Sequence, residues 1–145
     1  MSMHRKMETL LKVHSRHYLE MALRRDKQER LNDPDACGKR TGDCGDTIEF
    51  FLSIRDDKIY RTLFDADGCM NTCACANTVS ELSEGKTISE AWEINAEDII
   101  EFLETLPPDE HHCAELAIGA FYLALRDYEN LKRSPWKKAY QNAKR

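Results

Sequence analysis

The sequence predicts an α+β fold: a small antiparallel β-sheet with helices packed against it. Two observations carry that reading. Between Thr47 and Arg55 the chain alternates Ile48, Phe50, Leu52 and Ile54 with more polar neighbours, and after the turn-forming "RDDK" a second β-rich run, "KIYRTLFDA", follows. Beyond Gly68 the apolar residues instead recur every three or four positions. Strands come first and helices after, which is not the alternation that builds a parallel sheet.

Each element has its own signal. Met3, Met7, Leu10, Leu11, His14, Tyr18 and Met21 form one stripe, predicting a long amphipathic helix over roughly residues 4–30. "LNDPDACGKRTGDCGD" is dense in Asn, Asp, Pro and Gly and reads as a loop holding Cys37 and Cys44. Past Cys69, Val79 and Leu82 sit at helical spacing, and Gly85 offers a stop. "TISE" at 87–90 and "NAED" at 95–98 are capping boxes for two short helices, the second running to about Leu106. Pro107 and Pro108 must interrupt it. Cys113, Leu116, Ala117, Ala120, Phe121, Ala124, Tyr128 and Leu131 then mark one face of a long last helix, with Asp109 and Glu110 near its N-terminus.

With 145 residues, a single domain is expected over 1–145, comprising the N-terminal helix in 1–31 and a basic tail in 132–145. No apolar run approaches a membrane span and nothing resembles a signal peptide, so the expected location is cytoplasmic, without membrane contact. Six cysteines in a reducing compartment point to metal or thiol chemistry more than to disulfides. The net charge of −5 conceals a polarised chain: eight Lys/Arg against four acids in 1–31, six against none in 132–145, and a strongly acidic middle. Such a body argues against a nucleic-acid groove.

Cys44 and Asp46 are two positions apart, and on extended backbone they would face the same way, a soft and a hard ligand aimed at one point. Cys69 follows the second strand, and a hairpin can return it to the same sheet end. His112 and Cys113 lie in the first turn of the last helix, where unpaired N–H groups and the helix dipole lower a thiol's pKa. Three thiols and a carboxylate suffice for a tetrahedral site, with His112 as a further ligand. Spacing alone does not bring them together.

"DCGDTIEF", "DGC" followed by "ANTVSELSEGKTISEA", and "LPPDEHHCAELA" resemble, in this order, the three cysteine motifs of the IscU/NifU N-terminal family of iron–sulfur cluster scaffold proteins. The resemblance spans residues 42 to about 128. It implies a sheet of about three strands, one more than the pattern reveals. It places Cys44, Cys69 and Cys113 at the cluster cysteines, Asp46 at the ligand aspartate and His112 at the histidine beside the third cysteine. It further implies a scaffold and not an enzyme: a cysteine desulfurase delivers persulfide sulfur, Fe²⁺ is supplied separately, a transient [2Fe–2S] cluster forms, and acceptor apo-proteins receive it. Cys113 is then the candidate first persulfide acceptor.

Two departures matter. "LPPDE" at 106–110 stands where the family usually has Leu-Pro-Pro-Val-Lys, which makes docking of a specialised DnaK-type chaperone doubtful. The family's N-terminal "NPRN"-type segment is replaced by the charged helix. Cys37, Cys73 and Cys75 match no family ligand; Cys75 reads as a buried small residue, Cys73 as a spare thiol beside Cys69, and Cys37 as a loop cysteine or relay. The same donors would also hold Zn²⁺ in an empty site, so the alternative function is a zinc-dependent persulfide acceptor for a desulfurase.

Overall fold

The computed structural model describes residues 15–134 and Trp136. Its elements run α1 (Arg16–Leu23), β1 (Ala36–Thr41), β2 (Thr47–Arg55), β3 (Lys58–Asp67), α2 (Met70–Ser83), α3 (Ile88–Trp92), α4 (Ala96–Leu103), a 3₁₀ turn (Pro108–Glu110) and α5 (His111–Arg133). The three strands form one antiparallel sheet in the order β1-β2-β3. The predicted α+β class and the third strand are both present.

The β2–β3 hairpin turns at Asp56 and Asp57, whose φ values of 52° and 61° are the left-handed pair that a two-residue hairpin turn needs. The apolar phase of β2 faces the core as expected: Ile48, Phe50 and Leu52 are fully buried, and Phe50 packs against Phe64 on β3 and edge-on against Phe121 on α5. On the opposite face Phe51 is covered by the Arg30 guanidinium, which also pairs with Glu49 and Asp65.

α2 is the central helix, sandwiched between α1, β3 and α5. Among its buried polar residues, Thr78 donates to the Ala74 carbonyl and the Asn77 amide N–H groups donate to the carbonyls of Met21 and Arg24 at the end of α1, while Asn77 Oδ1 is left without a protein partner among the described residues. Gly85, at φ +88°, ends it. Both predicted capping boxes form, at Thr87/Glu90 and Asn95/Asp98. α4 stops at Leu103, three residues before the expected end, because Glu104 takes φ +63°. Leu106 remains buried without being helical.

Two expectations are corrected. Residues 4–14 of the anticipated long helix lie outside the described residues, and within them α1 ends at Leu23, not near 30. Arg24 turns to extended backbone and pairs with Asp26 and Glu81, and the chain then runs along the sheet, with Phe64 N–H donating to the Lys27 carbonyl. The buried side of α1 is Tyr18, Leu19, Met21 and Ala22, of which Tyr18 and Met21 belong to the predicted stripe. The second correction is β1, which occupies part of the segment read as a loop. Cys37 is therefore a strand residue, its N–H donating to Asp127, at the end of β1 remote from Cys44.

β1 lacks the usual β-forming side chains because α5 lies almost on its backbone. A Cβ on Gly38 would fall on the Ala124 amide and within 2.6 Å of the Ala120 carbonyl oxygen. Ala117, Ala120 and Ala124 keep α5 equally thin, and all three are fully buried. We predict that Gly38→Ala lowers unfolding free energy by about 2 kcal/mol or more, since backbone on both sides cannot yield. Gly42→Ala, whose Cβ would meet only Cys44 and Leu116 side chains at 3.5–3.6 Å, should stay within about 0.5 kcal/mol. Urea titration of the two variants checks this.

Candidate metal centre

Three segments converge at one end of the sheet. The first is the β1–β2 connection, closed by hydrogen bonds from Gly42 N–H to the Asp46 carbonyl and from Gly45 N–H to the Gly42 carbonyl. The second is the start of α2, where Cys69 is the N-cap residue. The third is the start of α5, where Pro107 and the 3₁₀ turn end the preceding chain and Glu110 is the N-cap residue.

Asp46, Cys69 and Cys113 each offer a ligand atom within 4.8 Å of the other two. Thr72 ties them together. Its hydroxyl donates to Asp46 Oδ2 at 2.6 Å, and its oxygen lies 3.6 Å from the Cys69 sulfur and 3.6 Å from that of Cys113. Thr72 is buried, three residues after Cys69, so the first turn of α2 aims it at the same spot. Neither Thr72 nor Gly68 stands out in the sequence as part of a site. Gly68 matters because a Cβ there would come 2.8 Å from Asp46 Oδ2.

The expected alliance of Cys44 with Asp46 is not an extended i, i+2 pair. Gly45 sits between them at φ +89°, so the alternation of a strand does not apply. Asp46 joins the Cys69–Cys113 set, whereas Cys44 is exposed at the turn and shares an open cleft with His112, Arg40 and Glu115. His112 belongs instead to a second triad, Glu110, His112 and Cys113, again within 4.8 Å. Glu110, read in the sequence only as a dipole-favoured acid, is thus a third residue, after Thr72 and Gly68, that sequence reasoning left out of the site.

The thiols differ in environment. Cys44 and Cys69 are exposed, Cys73 is half-buried, and Cys75 and Cys113 are buried. Cys75 is the small core residue expected of it, its thiol pushed up by burial. Cys73 is also raised, mainly by burial. For Cys113 the direction is opposite to the expected one: burial outweighs the Thr72 hydrogen bond, and with Cys69 and Glu110 nearby the thiol is pushed up to about 12. Tyr18, fully buried and hydrogen-bonded to Asn71, is pushed up to about 12 as well, by burial first and neighbouring thiols second.

A family model described as the NifU-like N terminal domain matches residues 26–134. The chain belongs to that family. Among curated relatives, it is 39% identical over 103 residues to the iron-sulfur cluster assembly protein IscU of Plasmodium falciparum, covering 71% of this chain and 62% of that one. It is 32% identical over 100 residues to the scaffold protein IscU 1 of Archaeoglobus fulgidus, covering 68% and 65%. The chain thus spans just under two thirds of the length of these two relatives. A crystal structure of a nitrogen-fixing NifU-like protein (N-terminal) from Brucella abortus superposes with a TM-score of 0.67 at 17% identity, over 81% of this chain and 95% of that one. A Fervidobacterium islandicum protein assigned to the SUF system gives 0.67 at 22% identity, over 79% and 97%. These two establish a shared fold. No helix among the described residues is long and apolar enough to cross a membrane.

Three outcomes are expected. Gly68→Ala should displace the Asp46 carboxylate from Thr72 and lower Zn²⁺ affinity roughly 10–100-fold, with stability nearly unchanged because the side chain can swing away. A chelator competition titration measures it. The raised Cys113 thiol is protonated in the folded state where it would ionise in the unfolded chain. Its stabilising contribution is complete below about pH 9 and is lost as pH climbs towards 12. Urea midpoints should fall across that window and fall less steeply in Cys113→Ala, while at pH 8 iodoacetamide should label Cys44 and Cys69 well before Cys113 and Cys75.

Proposed function

We propose that this chain is a scaffold on which a [2Fe–2S] cluster is built from iron and desulfurase-delivered sulfur and then handed to acceptor apo-proteins. The observation that supports it most is the meeting of Asp46, Cys69 and Cys113, from three separate segments, beside an open cleft carrying Cys44. Iron and sulfide are cargo here, and the chain's own work is to hold and release them. Cys44, Cys69 and Cys113 supply thiolates that suit iron and sulfide, and Asp46 supplies a harder oxygen that binds such a site less firmly. Thr72 orients that oxygen by donating to it.

Cys113 is the proposed first persulfide acceptor. Because its thiol is fully covered, delivery to it requires the first turn of α5 to part from Thr72. The exposed Cys44 and Cys69 need no such opening. Asp109 is exposed and Glu110 half-buried in the segment where the family usually presents Val and Lys, so a DnaK-type chaperone is not among the partners proposed.

The test is anaerobic reconstitution with Fe²⁺, cysteine and a cysteine desulfurase, following visible absorption and its decay when an apo-ferredoxin is added. We expect a cluster that needs Cys44, Cys69 and Cys113 and moves to the acceptor. Asp46→Ala should lengthen its lifetime several-fold, and unchanged transfer would count against the weak-ligand argument. No cluster, with desulfurase turnover that rises only when zinc is bound, would favour the zinc-dependent persulfide acceptor instead.

A further inference from the structure

Glu110 is not among the ligands that the family resemblance names, yet its carboxylate sits inside the site. Its Oε2 lies 3.6 Å from His112 Nε2 and 3.5 Å from the Cys113 sulfur, and His112 Nε2 is 3.7 Å from the same sulfur. Metal bonds of about 2.0–2.3 Å at tetrahedral angles place neighbouring ligand atoms roughly 3.3–3.8 Å apart. The triangle therefore has the dimensions of one face of a tetrahedral site. Local structure explains how it forms. Glu110 is the N-cap residue of α5 and Cys113 lies three positions on, which puts both on one face. An acid at that position commonly accepts from the helix N–H groups, but Glu110 makes no side-chain capping bond and turns to the thiol and the imidazole instead. His112 lines the open cleft, which gives an ion a way in.

We propose that Glu110, His112 and Cys113 form a subsite for a borderline divalent ion, Fe²⁺ or Zn²⁺, that shares only Cys113 with the Asp46–Cys69 arm. A carboxylate, an imidazole and a thiolate together suit these ions and disfavour Mg²⁺ and Ca²⁺, which take oxygen ligands. Carboxylate and thiolate balance the 2+ charge, and three protein donors leave a fourth position for water or another donor. The subsite gives iron a place on the chain that does not depend on the other arm. Its use as an entry point rests on the scaffold reading, but its existence does not.

The experiment uses the full chain carrying Asp46→Ala and Cys69→Ser, which lacks the first ligand set, titrated anaerobically with Co²⁺ and then with Zn²⁺ in competition. One ion per chain with a thiolate-to-cobalt charge-transfer band is expected, and adding Glu110→Gln should weaken binding more than about 100-fold, beyond what loss of a partner that merely orients a ligand costs. No bound ion, or a weakening under 100-fold, means that Glu110 is only an ion-pair partner of His112 and overturns the proposal. In the otherwise native chain, Zn²⁺ should shift the His112 imidazole NMR signals, and Glu110→Gln should raise the concentration needed by the same factor. An unmoved His112 overturns it there too. Neither measurement involves a cluster, so a failed reconstitution and a failed subsite are told apart.

Discussion

The close approach of α5 to β1 is the constraint on which the site depends. Down that contact the two elements run in opposite directions with matched steps: Ala124 meets Gly38, Gly119 lies under Arg40, Leu116 reaches Gly42, and His112 faces Cys44 across the cleft. Four residues of extended chain from Gly38 to Gly42 advance about 13 Å and eight of helix from Ala124 to Leu116 about 12 Å, so the register holds to the end of β1. Packing in the middle of the molecule thereby delivers the start of α5 to the turn that carries Cys44 and Asp46. Glycine and alanine at the contact do the positioning for residues three turns of helix away. A bulkier edge strand would lift the helix and take Cys113 with it.

That constraint also explains which parts of the fold were legible. The β2–β3 hairpin and the capping boxes announce themselves because their signals are local: alternation, a left-handed pair of aspartates, a side chain bonding three residues on. β1 has no such signal. Its "ACGKRT" is selected by a helix more than seventy residues later in the chain, and small residues chosen for that reason look like a loop. The end of α1 was hidden similarly, since Arg24 leaves the helix for Asp26 and Glu81 and no proline or glycine marks the spot.

Within the site, the motif residues were legible by resemblance and their grouping was not. Gly45 breaks the alternation that would have paired Cys44 with Asp46, and its φ of +89° is a property of the turn, not of the residue type alone. Thr72 is one of many threonines until the N-terminus of α2 is placed, after which its position three residues beyond Cys69 makes it the natural donor to Asp46. The burial of Cys113 was the costliest omission. Reading a helix N-terminus as thiol-activating presumes contact with solvent, and here Ala114, Leu116 and Ala117 are buried alongside the thiol, so desolvation wins.

The donors around Cys113 are therefore held with unequal firmness. Cys113 is fixed by α5, and Asp46 is fixed by a 2.6 Å bond from a buried hydroxyl. Cys44 rides on a turn closed by two backbone hydrogen bonds, with its side chain exposed. Glu110 and His112, partly exposed, lean on each other and on the Cys113 sulfur. A protein that must keep a metal would bury and bond all of these. One that must accept an ion, complete its coordination and later surrender it is better served by a fixed central thiol with replaceable partners on either side. Replacement of a soft ligand by a hard one, or of a protein ligand by water, then changes the affinity without disturbing the core. On the proposed scaffold reading, exchange at the partly exposed donors is separated from the packing that maintains the fold, and the boundary between them runs through Cys113.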